Sequence, residues 1–207
     1  MKTFLTGFGL LLILISGSLA LTVAAVEPIE RNIVYVHVPA AVCSLACFGV
    51  LFFCSIQYLR KKQQKWDNIA LACGEVGLFF ATLMNLTGMI FARIEWGLWW
   101  TPSPRLVSSA ALWFLYAAYL MLRAALPPQR RQIVGAVFGI IAFADVPLVI
   151  ISARFIRDIH RPGFTFDKPI QSLTLFIAAL GAVLLMTALI WIRTNISERK
   201  NQVDVKP

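Results

Sequence analysis

Charge is scarce in this chain. Only 14% of its 207 residues are Asp, Glu, Lys or Arg, against roughly 25% in a soluble domain. Acids are the scarcer sign, ten against nineteen Lys and Arg. There are two histidines and four cysteines. No Walker-type phosphate loop, G-x-S-x-G elbow, C-x-x-C pair or H-E-x-x-H zinc motif occurs, and no internal repeat. Nucleotide, acyl-transfer, dithiol and zincin chemistries therefore have no foothold. Cys43, Cys47, Cys54 and Cys73 all lie inside apolar runs, where a thiol packs as a small hydrophobe rather than forming a disulfide framework. Cys43 and Cys47, one turn apart, are expected to serve helix packing. The formal net charge of +9 suggests no nucleic-acid partner, because the basic residues are scattered between apolar runs instead of gathered on one element.

What is abundant is apolar surface. Hydrophobic residues make up 59% of the chain, which excludes disorder and exceeds what a soluble core of this size uses. Crossing the hydrocarbon of a bilayer takes about 20 apolar residues in a helix. Six runs meet or approach that length: 4–26, 34–59, 69–92, 106–122, 133–152 and 170–192. The alternation of a membrane barrel is missing. The fold class is all-α: a polytopic membrane protein of six transmembrane helices, forming one membrane domain over residues 1–207. The first run exceeds the about 7–15 residues of a signal-peptide core, so it reads as a retained helix.

Basic residues set the orientation. Lys2, Arg60, Lys61, Lys62, Lys65, Arg123, Arg130, Arg131, Arg193, Arg199, Lys200 and Lys206 fall on one side, twelve in all. Arg31, Arg93, Arg105, Arg154, Arg157, Arg161 and Lys168 fall on the other, seven in all. The richer side is cytoplasmic, so both termini are expected there. The third outer loop is unusual in holding four of those seven, with Asp158 and Asp167 among them.

Both histidines then fall on the outer side. His37 opens the second helix in Tyr35-Val36-His37-Val38-Pro39-Ala40-Ala41, and His160 lies in the third outer loop before Arg161-Pro162. Pro39 is expected in the first helical turn, where it is tolerable because those amides have no partner to lose. Two imidazoles can hold haem iron from opposite faces. The outer loop 94–105 places Trp96, Trp99 and Trp100 within five positions, beside Gly97, Pro104 and Arg105. If helical, the three tryptophans share one face. Flat indoles suit a porphyrin, and a guanidinium suits its carboxylates. An aromatic belt at the headgroups is the plainer use of tryptophan. Glu75 and Asp145 stand inside the third and fifth runs, where carboxylates are expensive and mark function by default. Pro147 frees a backbone carbonyl near Asp145, so a structural role is equally natural for that residue.

Trp96-Gly97-Leu98-Trp99-Trp100 followed by Pro104-Arg105-Leu106 resembles the tryptophan-rich loop of the haem-handling proteins of cytochrome c maturation. Six spans and one histidine in each of the first and third outer loops resemble the CcmC type within that group. Asp145-Val146-Pro147-Leu148 followed by His160 is similar to its second histidine region. The likeness runs over about residues 31–192. Two departures stand out: Pro102-Ser103 replaces the family's usual Trp-Asp, and Phe155-Ile156 replaces paired tryptophans before the second histidine.

The resemblance implies a haem-delivery protein and not an enzyme. His37 and His160 would be axial ligands of a transient, non-covalent haem b. Trp96, Gly97, Trp99, Trp100, Pro104 and Arg105 would be loop contacts, with Arg157 and Arg161 near a second propionate and Asp145 in support. It implies delivery to a periplasmic haem chaperone of the CcmE type, beside ABC-type transporter subunits, in the bacterial inner membrane among its lipids. A membrane b-type cytochrome and a haem transporter are the competing readings; a covalent haem-ligating enzyme of the same superfamily would be larger.

The charge asymmetry makes the topology testable. Reporter fusions at Lys62 and Thr165 should report opposite sides, Lys62 cytoplasmic and Thr165 external. The same side for both would end the six-span reading.

Overall fold

The computed structural model describes residues 2–22, 32–155, 166 and 168–204, and among these there is no strand. Seven helices follow one another: α1 Lys2–Leu21, α2 Val34–Lys61, α3 Gln64–Trp96, α4 Pro104–Ala125, α5 Pro128–Ala142, α6 Asp145–Phe155 and α7 Pro169–Asp204. They supply six stretches long and apolar enough to cross a membrane, α5 and α6 together making the fifth. In hydrocarbon a helix satisfies its own backbone, which is why apolar runs of this length fold this way. The helices outrun the expected spans: α3 begins five residues before Ile69 and continues to Trp96.

The fifth span is not the single helix that its apolar run suggests. It breaks at Phe143 and Ala144, between α5 and α6. The cause is Pro147, which has no amide for the Phe143 carbonyl and would crowd it in a continuous helix. That carbonyl instead accepts from Val146 N at 3.0 Å. Asp145 opens α6, where the helix dipole favours a carboxylate.

A hairpin of α2 and α3 forms the centre, closed by a tight turn in which Lys62 is left-handed, φ 54°, and its amide bonds to the Tyr58 carbonyl at 2.8 Å. α4, α5 and α6 pack on one side of the hairpin and α7 on the other. α1 packs on α7 and barely touches α2. Phe48, Leu51, Leu112, Tyr116 and Tyr119 are fully buried between the helices, with the Phe48 and Tyr116 rings stacked. The four cysteines are free and buried.

Polar pairs lock this packing. Near the α2–α3 turn, Arg123 of α4 donates two hydrogen bonds to Asp67 of α3, at 2.6 and 2.8 Å. Tyr58 donates to Gln132 at 2.8 Å, and Gln132 to Gln64 at 2.5 Å, tying α2, α3 and α5. Glu75 of α3 is held by Arg193 of α7, which also donates to Ser197 at 2.7 Å. Towards the other end, Trp113 donates to Thr82 at 2.8 Å, Asn85 to the Ser109 carbonyl at 3.3 Å, and Ser108 pairs with Ser152 at 2.9 Å.

α1 and α7 approach closely at Gly9 and Gly181. A Cβ at Gly181 would stand 2.9 Å from the Gly9 carbonyl oxygen and 3.0 Å from Ile13. Small residues let membrane helices meet backbone to backbone. Gly181→Leu should therefore destabilise the folded protein by about 1–3 kcal/mol through overpacking. Gly7→Leu, where a Cβ meets nothing within 4 Å, should be neutral. Thermal unfolding in detergent separates the two; equal effects would contradict this contact.

Candidate functional site

His37 is the fourth residue of α2, half-buried, with its ring against α3. Its Nδ1 is 3.0 Å from Thr87 Oγ1. The ring rests where α3 has no side chain: a Cβ at Gly88 would be 3.3 Å from His37 Cε1. From α4, Arg105 is close enough to act electrostatically on the ring. Two helices thus meet at this imidazole, with the Arg105 charge of α4 in electrostatic reach. Pro39 is not in the first turn, as the sequence reading had it, but sixth in α2. The helix does without one backbone bond there, two residues past His37.

The tryptophan loop lies further along the same end. From Gly88, α3 continues eight residues, about 12 Å, to its last residue Trp96. Gly97 then turns left-handed at φ 74°, its amide bonded to the Arg93 carbonyl at 3.1 Å. A residue with a Cβ pays heavily for that backbone, which is why glycine ends the helix here. Because α3 stops at Trp96, the three tryptophans do not share the helical face expected if the segment were helical. Trp96 packs edge-on against Phe91, ring centroids 5.8 Å apart. Trp99 and Trp100 follow in the irregular segment and are 56% and 46% exposed, open to a ligand or to lipid. Arg93 holds the segment in place: its guanidinium donates to the Gly97 carbonyl and lies 6.0 Å from the Trp99 ring centroid.

α4 starts by ordinary capping chemistry. Ser103 Oγ accepts from Leu106 N at 3.4 Å, and Pro104 takes the first helical position. Ser103 occupies the place of the acid expected in this loop, and Ser and Asp are interchangeable as helix N-caps. The departure from Trp-Asp therefore preserves the cap.

His37, Arg105 and the tryptophan loop stand at one end of the bundle. Asp145 is deeper: it precedes Ser152 by seven residues, about 10 Å along the span, and one of its carboxylate oxygens is buried with no hydrogen-bond partner. Glu75 belongs to the α3–α7 ion pair. His160, Arg157 and Arg161 lie outside the described residues. Among those described, no group of three or more His, Cys, Asp or Glu is placed to hold a metal ion. Thr87, Gly88 and Arg93 are the participants that sequence reasoning missed. Arg93 had a legible signal, a basic residue four before a glycine at a helix end; Thr87 and Gly88, some fifty positions from His37, had none.

The chain matches the model of the CcmC family, described as Heme exporter protein C, over residues 1–206. It belongs to that family. Among its relatives, the Heme exporter protein C of Bradyrhizobium diazoefficiens is 26% identical over 180 residues, 83% of this chain and 66% of that protein. The protein of the same name from Haemophilus influenzae is 25% identical over 167 residues, 78% of this chain and 67% of that one. That from Escherichia coli K12 is 29% identical over 147 residues, 68% of this chain and 58% of that one. The chain thus spans about two thirds or less of the length of these relatives.

Arg93 generates a prediction. Arg93→Ala removes one charged hydrogen bond and one cation–π contact, together worth roughly 1–3 kcal/mol. Hydrogen exchange of the amides in residues 97–103 should then accelerate by at least about fivefold, with the Trp113 region unaffected. Unchanged exchange would show that the loop holds its shape without Arg93.

Proposed function

We propose that this membrane protein binds haem non-covalently at the end of the bundle formed by His37, Arg105 and the tryptophan loop, and passes it on for cytochrome c maturation. Haem is cargo, a haem b held transiently. The observation that carries this reading is the His37 imidazole: Thr87 engages one ring nitrogen, leaving the other for iron, with the Arg105 charge in electrostatic reach and two exposed indoles on the segment that follows α3. Membership in the CcmC family supports haem handling as the broad role.

In this reading His37 and His160 are the two axial ligands. The described flanks of the His160 segment support the pairing. α6 ends at Phe155 beyond the Ser108–Ser152 contact, and Phe166 stacks on Tyr35 at 6.0 Å, two residues from His37. Trp99 and Trp100 offer flat apolar area to the porphyrin. Arg105, with Arg157 and Arg161, answers its propionates. Trp96, Gly97 and Pro104 shape the loop, and Asp145 supports the site from below by opening the half-helix that rises to Ser152.

The protein then works by binding, orienting and releasing, with no covalent step of its own, and is not an enzyme. A periplasmic haem chaperone of the CcmE type is the recipient, and ABC-type transporter subunits are the companions. The setting is the cytoplasmic membrane of a bacterium, both termini inside, the haem face outside and the whole chain one membrane domain in lipid. Passage of haem through the bundle fits less well, because bulky, fully buried side chains occupy its centre. Electron transfer across the membrane needs stacked haems, and two histidines make one pair.

Haem content and chaperone loading, measured on the same preparations, test this. His37→Ala and His160→Ala should each abolish the six-coordinate low-spin spectrum. Trp100→Ala and Arg105→Ala each forfeit about 0.5–3 kcal/mol; they should keep most of the haem yet fail in loading. Ser103→Asp should be tolerated. A double histidine variant with an unchanged spectrum would refute the ligands, and equal losses of haem and loading would withdraw the hand-off.

A further inference from the structure

Thr87 stands in an unusual relation to His37. Its hydroxyl has one proton and two backbone carbonyls to give it to, Leu83 O at 2.6 Å and Met84 O at 3.1 Å. A carbonyl can only accept, so the proton belongs to the backbone and the hydroxyl oxygen turns a lone pair to its remaining neighbour. That neighbour is His37 Nδ1 at 3.0 Å. The Met84 carbonyl also faces the imidazole, again as an acceptor only. A hydrogen on Nδ1 is the arrangement that answers all of these acceptors. A neutral imidazole has one N–H, so the Nε2 lone pair is bare. Gly88 contributes the space: its missing side chain lets the ring edge at Cε1 lie against α3.

We infer that Thr87 is a positioning residue: together with Gly88 it selects the Nδ1–H tautomer of His37, fixes the rotation of the ring, and so presents Nε2 to iron. The inference rests on the reading of His37 as a haem ligand only in what the tautomer is for; the tautomer itself is a property of the chain without haem. Metal-binding histidines depend on such an acceptor behind the ring. Here the acceptor is a neutral hydroxyl whose own proton is spent on the helix, a weaker hold than a carboxylate and one suited to a ligand that must be released.

The chain offers a clean test because its sequence contains two histidines. With His160→Gln, nitrogen-15-labelled histidine reports His37 alone, in detergent, without haem and at a pH where the ring is neutral. The Nδ1–H, bare-Nε2 form should exceed the other by roughly five- to tenfold, the factor one net hydrogen bond provides. Thr87→Val, which keeps the shape and loses the hydroxyl, should bring the ratio to parity or below, and Thr87→Ser should restore it. A predominant Nε2–H form with Thr87 intact overturns the inference, and this holds even if the valine variant does not fold. A valine variant with the original ratio overturns it as well. In haem-loaded protein that retains His160, Thr87→Val should shift the low-spin paramagnetic resonance values and Thr87→Ser should restore them. The haem-loaded His37→Ala spectrum decides separately whether His37 ligates, so failure of ligation and failure of positioning are told apart.

Discussion

The bilayer offers no hydrogen bonds, and the structure is organised around that constraint. A polar side chain inside the bundle has to be answered by another, and each such answer fixes one helix against its neighbour. The Asp67–Arg123 fork is the strongest case. Both side chains are almost wholly buried, 5% exposed each, and removing either partner from such a pair costs about 3–5 kcal/mol because a charge is left uncompensated. It pins α4 to the start of α3, while the Tyr58–Gln132–Gln64 chain pins α5 beside it. Glu75 and Arg193 do the same for α7.

The same rule operates at the other end with neutral groups, and there it yields a site. Trp113 with Thr82, Asn85 with the Ser109 carbonyl, and Ser108 with Ser152 set the register of α3, α4 and α6. In the α2–α3 hairpin Thr87 and Gly88 stand opposite His37, and the register of α4 on α3 puts Arg105 within electrostatic reach of it. The ionic end is built to be permanent. The neutral end uses single hydrogen bonds, each worth about 0.5–1.5 kcal/mol, and carries its indoles on a short irregular segment clamped by Arg93. Firm helices at one end and single neutral hydrogen bonds at the other suit the proposed role of taking up and giving away a ligand at a membrane face.

Much of the fold was legible because it depends on local composition. Apolar runs became helices, but their lengths alone did not show the break after Phe143, whose cause is Pro147, or the start of α4 at Ser103-Pro104. The end of α3 was legible in principle at Gly97, but the indole spacing suggested a helical face that the left-handed glycine interrupts. Of the site, the histidine and the loop could be named from their residue types. Their surroundings could not. His37 and Thr87, Arg123 and Asp67, and Arg193 and Glu75 are joined across fifty to more than a hundred residues, and nothing in a threonine or glycine on an apolar helix says which side chain will stand against it. Glu75, expensive by itself in a membrane, lost its strangeness once Arg193 was found beside it.

The central claim is that one imidazole held by α3 and a second from the loop before α7 take a single haem at the tryptophan end of this bundle. The most direct measurement is the visible and paramagnetic resonance spectrum of the detergent-purified, haem-loaded wild-type protein with haem quantified per chain. The account predicts one haem per chain, six-coordinate and low-spin with the signature of two imidazole ligands. A five-coordinate high-spin haem, or a haem bound without imidazole, would contradict it.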